Sequence, residues 1–210
     1  MKLLKLAIFA SGRGSNFQAI YQSIQAGELD ARIQVVISNN ADAGALEFAR
    51  AHQIPAVHLT RQQFDHAEEF DNALLALLKK HQVNFIALAG YMKLIRSKII
   101  QEYQNKMLNI HPALLPAFGG KGMYGHFVHE AVLNYGCKVS GVTVHLVDEK
   151  YDHGPIVLQR AVPVLADDTP ATLAARILVQ EHQIYAEALQ LFAEERVIID
   201  GKRTIIQPKK

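Results

Sequence analysis

In a chain of 210 residues, half of them hydrophobic, there is apolar surface enough for a full core, and a single domain is the simplest arrangement. Basic residues number 22 against 20 acidic ones, for a formal charge of +2, and they cluster only at Lys202-Arg203 and Lys209-Lys210, which argues against a nucleic-acid surface. The lone cysteine, Cys137, excludes an intramolecular disulfide or a multi-cysteine metal site and suits a reducing compartment, with the cytoplasm as the expected location.

The first apolar run, Leu4 to Phe9, reads as strand one, because Ser11-Gly12-Arg13-Gly14 follows too soon for a signal peptide or a membrane span. Ser11 to Asn16 joins this strand to a helix over about Asn16 to Ala26. At such a junction backbone N–H groups and the helix N-terminus can hold a phosphate, with Gly14, Ser15 and Asn16 as the candidate contacts. The pattern is not a dinucleotide fingerprint: Phe17 stands where a third glycine is expected, and Ser38-Asn39-Asn40 follows the second strand where a ribose-binding acid would stand. No Walker-type lysine is present either, so a small phosphorylated metabolite fits better than NAD or ATP. The alternative is a glycine turn that merely lets strand pack on helix.

Further apolar runs at Ile33 to Ile37, Phe85 to Leu88 and Met107 to Ile110 alternate with helical periodicity at Ala43 to His52 and Asp65 to His81. Near-continuous apolar strands imply a sheet buried on both faces, and the alternation implies parallel strands with right-handed crossovers. The expected fold is α/β: a Rossmann-like, mostly parallel twisted sheet flanked by helices. After the fourth strand, Met92, Lys93, Leu94 and Ile95 form an apolar strip that could wall a flat aromatic ligand or belong to ordinary core. Spacing alone does not choose between these.

Asn109 and His111 lie two apart in Leu108-Asn-Ile-His-Pro112, so on a strand they share a face. Pro112 has no N–H to donate and should end the pairing, leaving both at the strand's carboxyl end, where open α/β sheets keep their chemistry. The stretch Pro112 to Gly125 holds four glycines and two prolines and reads as a lid or substrate-positioning loop. A helix over His126 to Tyr135 follows. His126 and His129 have the spacing of metal ligands but lack a third partner, so polar or loop-packing roles are favoured and no metal is expected. Cys137 reads as a small packed residue.

Gly141 to Leu146 is another apolar run, and the loop after it carries Asp148, Glu149 and Asp152 before Gly154-Pro155. A carboxylate beside an imidazole favours the charged ring, so Asp152 is expected to raise the pKa of His111, and a partly protonated histidine beside an amide donor would stabilise an oxyanion. The alternatives are a satisfied core pair for Asn109 and His111 and a plain turn for the acidic loop. Thr169-Pro170 starts a long helix, with Thr169 as N-cap and Pro170 at its first position. Glu181 lies on that helix's apolar stripe, where carboxylates are rare unless paired or used, so a buried structural pair and a functional role stand equal. Val197 to Ile199 and Thr204 to Ile206 flank Asp200-Gly201-Lys202-Arg203 as a terminal hairpin.

With these pieces in place, the chain resembles the phosphoribosylglycinamide formyltransferases, folate-dependent enzymes of purine synthesis. The resemblance spans nearly the whole length and rests on Ser11-Gly-Arg-Gly-Ser-Asn16, Ala89-Gly-Tyr-Met-Lys-Leu94, Leu108-Asn-Ile-His-Pro-Ala-Leu-Leu-Pro116 and the loop from Asp148 to Pro155. It implies a catalytic trio of Asn109, His111 and Asp152. It further implies a ribose-phosphate site at Gly14, Ser15 and Asn16, a glycinamide contact at Glu181, and a folate wall from Met92, Lys93, Leu94 and Ile95 with Asn109. The co-substrate implied is 10-formyltetrahydrofolate, with small-molecule partners only, no nucleic acid, no membrane and no metal, in a monomer or homodimer. One domain over 1–210 would divide into a phosphate-binding Rossmann-like half, 1–105, and a catalytic and folate half, 106–210.

Three positions depart from the family pattern. Ala67 stands where an arginine is often seen, Gly119 where proline is common, and His153 where a small residue usually follows the aspartate. Two other readings stand beside formyl transfer to an amine. One is formyltetrahydrofolate hydrolysis, for which a regulatory domain would be expected; the other is a non-catalytic phosphometabolite-binding module in which Asn109 and His111 are structural. Transfer to methionyl-tRNA would call for a C-terminal RNA-contacting domain, for which this chain has no room.

Overall fold

The computed structural model describes residues 3–209. Its centre is a seven-stranded sheet in the order β3-β2-β1-β4-β5-β6-β7. The strands are β1 (Leu4–Phe9), β2 (Ala31–Ser38), β3 (Ala56–His58), β4 (Phe85–Leu88), β5 (Met107–His111), β6 (Val139–Leu146) and β7 (Ile156–Pro163). The first five pair in parallel, while β5 with β6 and β6 with β7 pair antiparallel. The mostly parallel sheet expected from the alternating runs is therefore present, closed on one side by an antiparallel meander.

Period-two alternation sorts the strand side chains between two cores. Leu6 and Ile8 of β1 face one layer, with Phe17, Leu46, Val132, Ile177 and Ile184 from helices α1 (Ser15–Gln25), α2 (Gly44–Ala51), α5 (His126–Tyr135) and α6 (Pro170–Ala193). Ala7 and Phe9 face the other, with Phe70, Leu74 and Ile99 from α3 (Ala67–Lys80) and α4 (Ser97–Glu102). Burial on both faces explains why β1, β2 and β4 read as continuous apolar runs. Each such large side chain contributes about 1.5–3 kcal/mol by leaving water.

Helix α6 begins as its sequence signal requires: Thr169 Oγ1 accepts from the Thr172 N–H at 3.2 Å, with proline inside the first turn. Midway along, the buried Tyr185 hydroxyl reaches the carbonyls of Leu88 and Leu108, each at 3.0 Å, and so ties α6 to β4 and β5 where their carboxyl ends approach the site. Strands β8 (Val197–Asp200) and β9 (Arg203–Ile206) form the terminal hairpin as a separate two-stranded sheet.

Four elements were not anticipated: β3, β7, α4 and a single 3₁₀ turn at Arg61–Gln63. β3 is only three residues long, and β7 carries Gln159 and Arg160 in succession at mid-strand, one on each face, so neither presents a long apolar run. Among the described residues no helix is long and apolar enough to cross a membrane.

Candidate active site

The order of the parallel strands reverses between β1 and β4, the point at which open α/β sheets form a crevice beyond their carboxyl ends. Here Ser11 donates its backbone N–H to the Gly90 carbonyl at 3.0 Å and accepts at Oγ from the Met92 N–H at 2.9 Å, which joins the loops after β1 and β4. A cavity of about 970 Å³ opens beside them. It is lined by Ser15, Asn16, Met92, Lys93, Leu94, Ile95, Asn109, His111, Asp152 and Glu181, the candidate residues of the sequence with the exception of Gly14.

Gly14 has a different duty. It caps α1 in the left-handed region at φ +77, and a Cβ there would stand 2.8 Å from the Ala45 Cβ of α2. The packing alternative for this glycine is thus correct at that one position. Beyond it, no side chain among the described residues caps the first turn of α1, and no acid lies in that turn, so the N–H groups of Ser15 and Asn16, two residues that line the cavity, have no side-chain cap.

Pairing ends at His111 as Pro112 dictates, and Asn109 and His111 emerge on one face of β5. The antiparallel register sets Asn109 opposite His145 and His111 opposite Thr143. His145 Nδ1–H donates to the Leu146 carbonyl at 2.8 Å, which in the neutral ring leaves Nε2 to accept from Asn109 Nδ2 at 3.1 Å. The other amide hydrogen of Asn109 points to Asp152 Oδ1 at 3.4 Å. Asp152 Oδ2 accepts from the Gly120 N–H at 2.9 Å and lies 3.6 Å from His111 Nδ1. His111 Nε2–H donates to the Phe118 carbonyl at 2.8 Å, so the loop after β5 fixes the ring's tautomer and leaves Nδ1 as the atom that can exchange a proton.

The charge states follow from competition between burial and neighbours. Burial alone would lift the Asp152 carboxyl, but the imidazoles of His145 and His111 and the Gly120 N–H outweigh it and hold the group below the usual aspartate range. For His111 the balance goes the other way. Burial lowers its pKa, and the opposing pull of Asp152 and the Phe118 carbonyl is too small to reverse the direction. The expectation of a partly protonated resting ring is therefore corrected: His111 is 3% exposed, and removing the imidazolium from water costs more than one carboxylate at 3.6 Å returns.

Glu181 comes from the opposite wall. Its Oε2 accepts from Asn16 Nδ2 at 2.7 Å, and burial raises its pKa with the Asn16 bond opposing. The buried-pair reading is thus met in this state, yet Asn16 Oδ1 has no partner among the described residues and both residues line the cavity. Met92 and Leu94 are 53% and 46% exposed beside it, large apolar side chains held open to solvent.

Sequence reasoning missed His145, Thr143, the Phe118 carbonyl and the Gly120 N–H. The signal available for the first two was the interruption of the Val139–Leu146 run by polar residues; the backbone groups carry no sequence signal. Thr143 Oγ1 donates to the Ala113 carbonyl at 2.6 Å and accepts from the Leu115 N–H at 3.0 Å, pinning the start of the loop that delivers Phe118 and Gly120. His126 and His129 also line the cavity, and the buried His129 Nδ1 has no hydrogen-bond partner among the described residues. Among the described residues no three His, Cys, Asp or Glu side chains group as a metal site.

The family profile described as formyl transferase matches residues 4–189. The chain is 44% identical over 194 residues to "Phosphoribosylglycinamide formyltransferase, chloroplastic" of Vigna unguiculata, an alignment that spans 92% of this chain but 62% of that longer relative. With "Phosphoribosylglycinamide formyltransferase" of Haemophilus influenzae it shares 39% identity over 205 residues, 94% of each chain. The crystal structure of glycinamide ribonucleotide transformylase 1 from Symbiobacterium toebii superposes with a TM-score of 0.92 at 43% identity, over 98% of this chain and 95% of the other. By its sheet, its crevice and these likenesses, the chain belongs to the formyl transferase family, among the phosphoribosylglycinamide formyltransferases.

Proposed function

We propose that this protein transfers the formyl group of 10-formyltetrahydrofolate to the amine of 5-phosphoribosylglycinamide. The observation that carries the reading is the meeting of Asn109, His111 and Asp152 over the same cavity as the uncapped N-terminus of α1. The phosphate would rest on the N–H groups of Ser15 and Asn16, just past the turn that Gly14 sets, with Arg13 and Lys121 on the cavity wall adding positive charge. Glu181 and the free Oδ1 of Asn16 would accept from the hydroxyls or amide of the glycinamide ribotide. Met92, Leu94 and Ile95, with Lys93 beside them, would wall the folate ring. In this reading residues 1–105 supply the phosphate cradle and residues 106–210 the transfer chemistry and the glycinamide contact.

The amine nitrogen attacks the formyl carbon, and the carbonyl oxygen takes up the negative charge. Asn109 Nδ2 meets that oxyanion by giving up its long bond to Asp152, the weaker of its two. His111, neutral at rest, accepts the amine proton at Nδ1, directly or through one water, while Asp152 stabilises the imidazolium that forms. The intermediate collapses by breaking the bond from the formyl carbon to folate N10, which receives the proton. No covalent enzyme intermediate is required.

Steady-state assay of formyl transfer with both substrates tests the reading, with hydrolysis of formyl-folate measured in parallel. Replacing His111 by Ala should lower turnover about 10²- to 10⁴-fold. Near-parental turnover in that variant, binding of the ribotide without any turnover in the parent, or equal hydrolysis with and without the amine would each remove the assignment.

A further inference from the structure

Asp152 occupies the left-handed region at φ +52, which few residues with a Cβ adopt and which aspartate tolerates at a small cost. On the cavity side the Gly120 N–H and the Asn109 amide hold its carboxylate. At the loop's base the Leu146 N–H donates to the Pro155 carbonyl at 2.8 Å, and Gly154 packs so closely that a Cβ would come within 1.8 Å of the Leu146 carbonyl oxygen.

The solvent side of the loop is held from the far end of the chain. Lys202, at the turn of the β8–β9 hairpin, donates from Nζ to the backbone carbonyl of His153 at 2.6 Å and reaches Asp148 Oδ2 at 3.4 Å. The His153 ring packs between the two, its Nδ1 standing 2.7 Å from the same Asp148 oxygen and 2.9 Å from Lys202 Nζ. The hairpin is itself anchored, because Thr204 Oγ1 donates to the Ile156 carbonyl at 2.7 Å and Gln207 exchanges two bonds with Arg196. Exposed ion pairs contribute little on their own. The bond to the His153 carbonyl is different in kind, since it fixes the His153–Gly154 peptide, one residue beyond Asp152.

We propose that Lys202 is a positioning residue for formyl transfer: seated on the His153 carbonyl and the Asp148 carboxylate, its ammonium holds the backbone that aims Asp152 at His111. This rests on the role given to Asp152 above. The test uses the full chain with Lys202→Ala, Lys202→Arg, Asp152→Asn and the Lys202→Ala/Asp152→Asn double variant, by steady-state kinetics with each substrate varied and by thermal melts. Lys202→Ala should lower kcat about tenfold, since small misplacements of a reacting group are amplified in rate. KM for phosphoribosylglycinamide should stay within about twofold, because the ribotide's wall is untouched. Melting should move by less than about 2 °C, and Lys202→Arg should recover most of the rate.

In the double variant the loss should equal that of Asp152→Asn alone, because the lysine acts through the aspartate. Parental kcat in Lys202→Ala, a loss that Arg does not rescue, or losses that add in the double variant would overturn the clamp while leaving Asp152 in its role. Parental activity in Asp152→Asn would overturn both.

Discussion

Asn109, His111 and Asp152 illustrate what a chain reveals of its own chemistry. The first two are two apart on a strand that proline must end, so their shared face and their place at the sheet's edge follow from local rules. Asp152 was reachable because acids cluster in the loop after the next apolar run. His145 was not, since its place opposite Asn109 depends on an antiparallel register between segments 36 residues apart. The direction of the His111 shift was also out of reach, because it turns on depth of burial and not on the identity of the neighbour. By NMR the His111 ring should titrate below 6.5, and Asp152→Asn should lower it further by removing the carboxylate that favours the imidazolium. A midpoint above 6.5 would restore the protonated resting ring.

Glu181 invites a second measurement. Its folded-state pKa is raised by burial, so the stability it contributes is complete below the unfolded value and is lost as pH rises through the folded one. Charging this buried carboxyl therefore costs stability as the pH rises. Glu181→Gln, which can still accept from Asn16, should stabilise the ligand-free protein by about 1 kcal/mol near pH 7. The melting temperature should then rise by roughly 2–4 °C for a chain of this size, with the difference vanishing toward pH 4, while ribotide affinity falls. A variant less stable than the parent at pH 7 would show that the carboxylate is structurally satisfied.

Helices and strands were legible in proportion to how strongly their own residues insist on them. β1, β2, β4 and β5 announce themselves because both faces are buried, and α6 because Thr169 and Pro170 are placed as a helix start demands. β7 hides because one face meets solvent, and α4 because six residues hold barely more than one turn. The turn before α1 shows one glycine serving packing while its neighbours line the cavity. Gly14→Ala should cost about 1–2 kcal/mol for the left-handed backbone alone, with the Ala45 collision added. A drop of roughly 5 °C or more in melting temperature, accompanied by weaker phosphate binding, is expected by calorimetry. Unchanged melting would mean that α1 and α2 can part without loss.

At the scale of the whole molecule, the alternation of apolar runs and helical periodicity was enough to read a parallel layer with helices on both sides. It could not foretell where the strand order reverses, nor that the final hairpin leaves the sheet and lies against it, because those are choices among topologies that bury the same residues. The hairpin's placement also bears on solubility. An open sheet presents two margins whose unpaired peptide groups can recruit a second chain. Here one margin, β3, is three residues long, and the other, β7, ends at Pro163, ties Arg160 to Glu187 and is screened at its start by Thr204 on the Ile156 carbonyl. Edge-to-edge polymerisation is discouraged at both borders, so the folded protein offers little template for amyloid-like growth even when crowded.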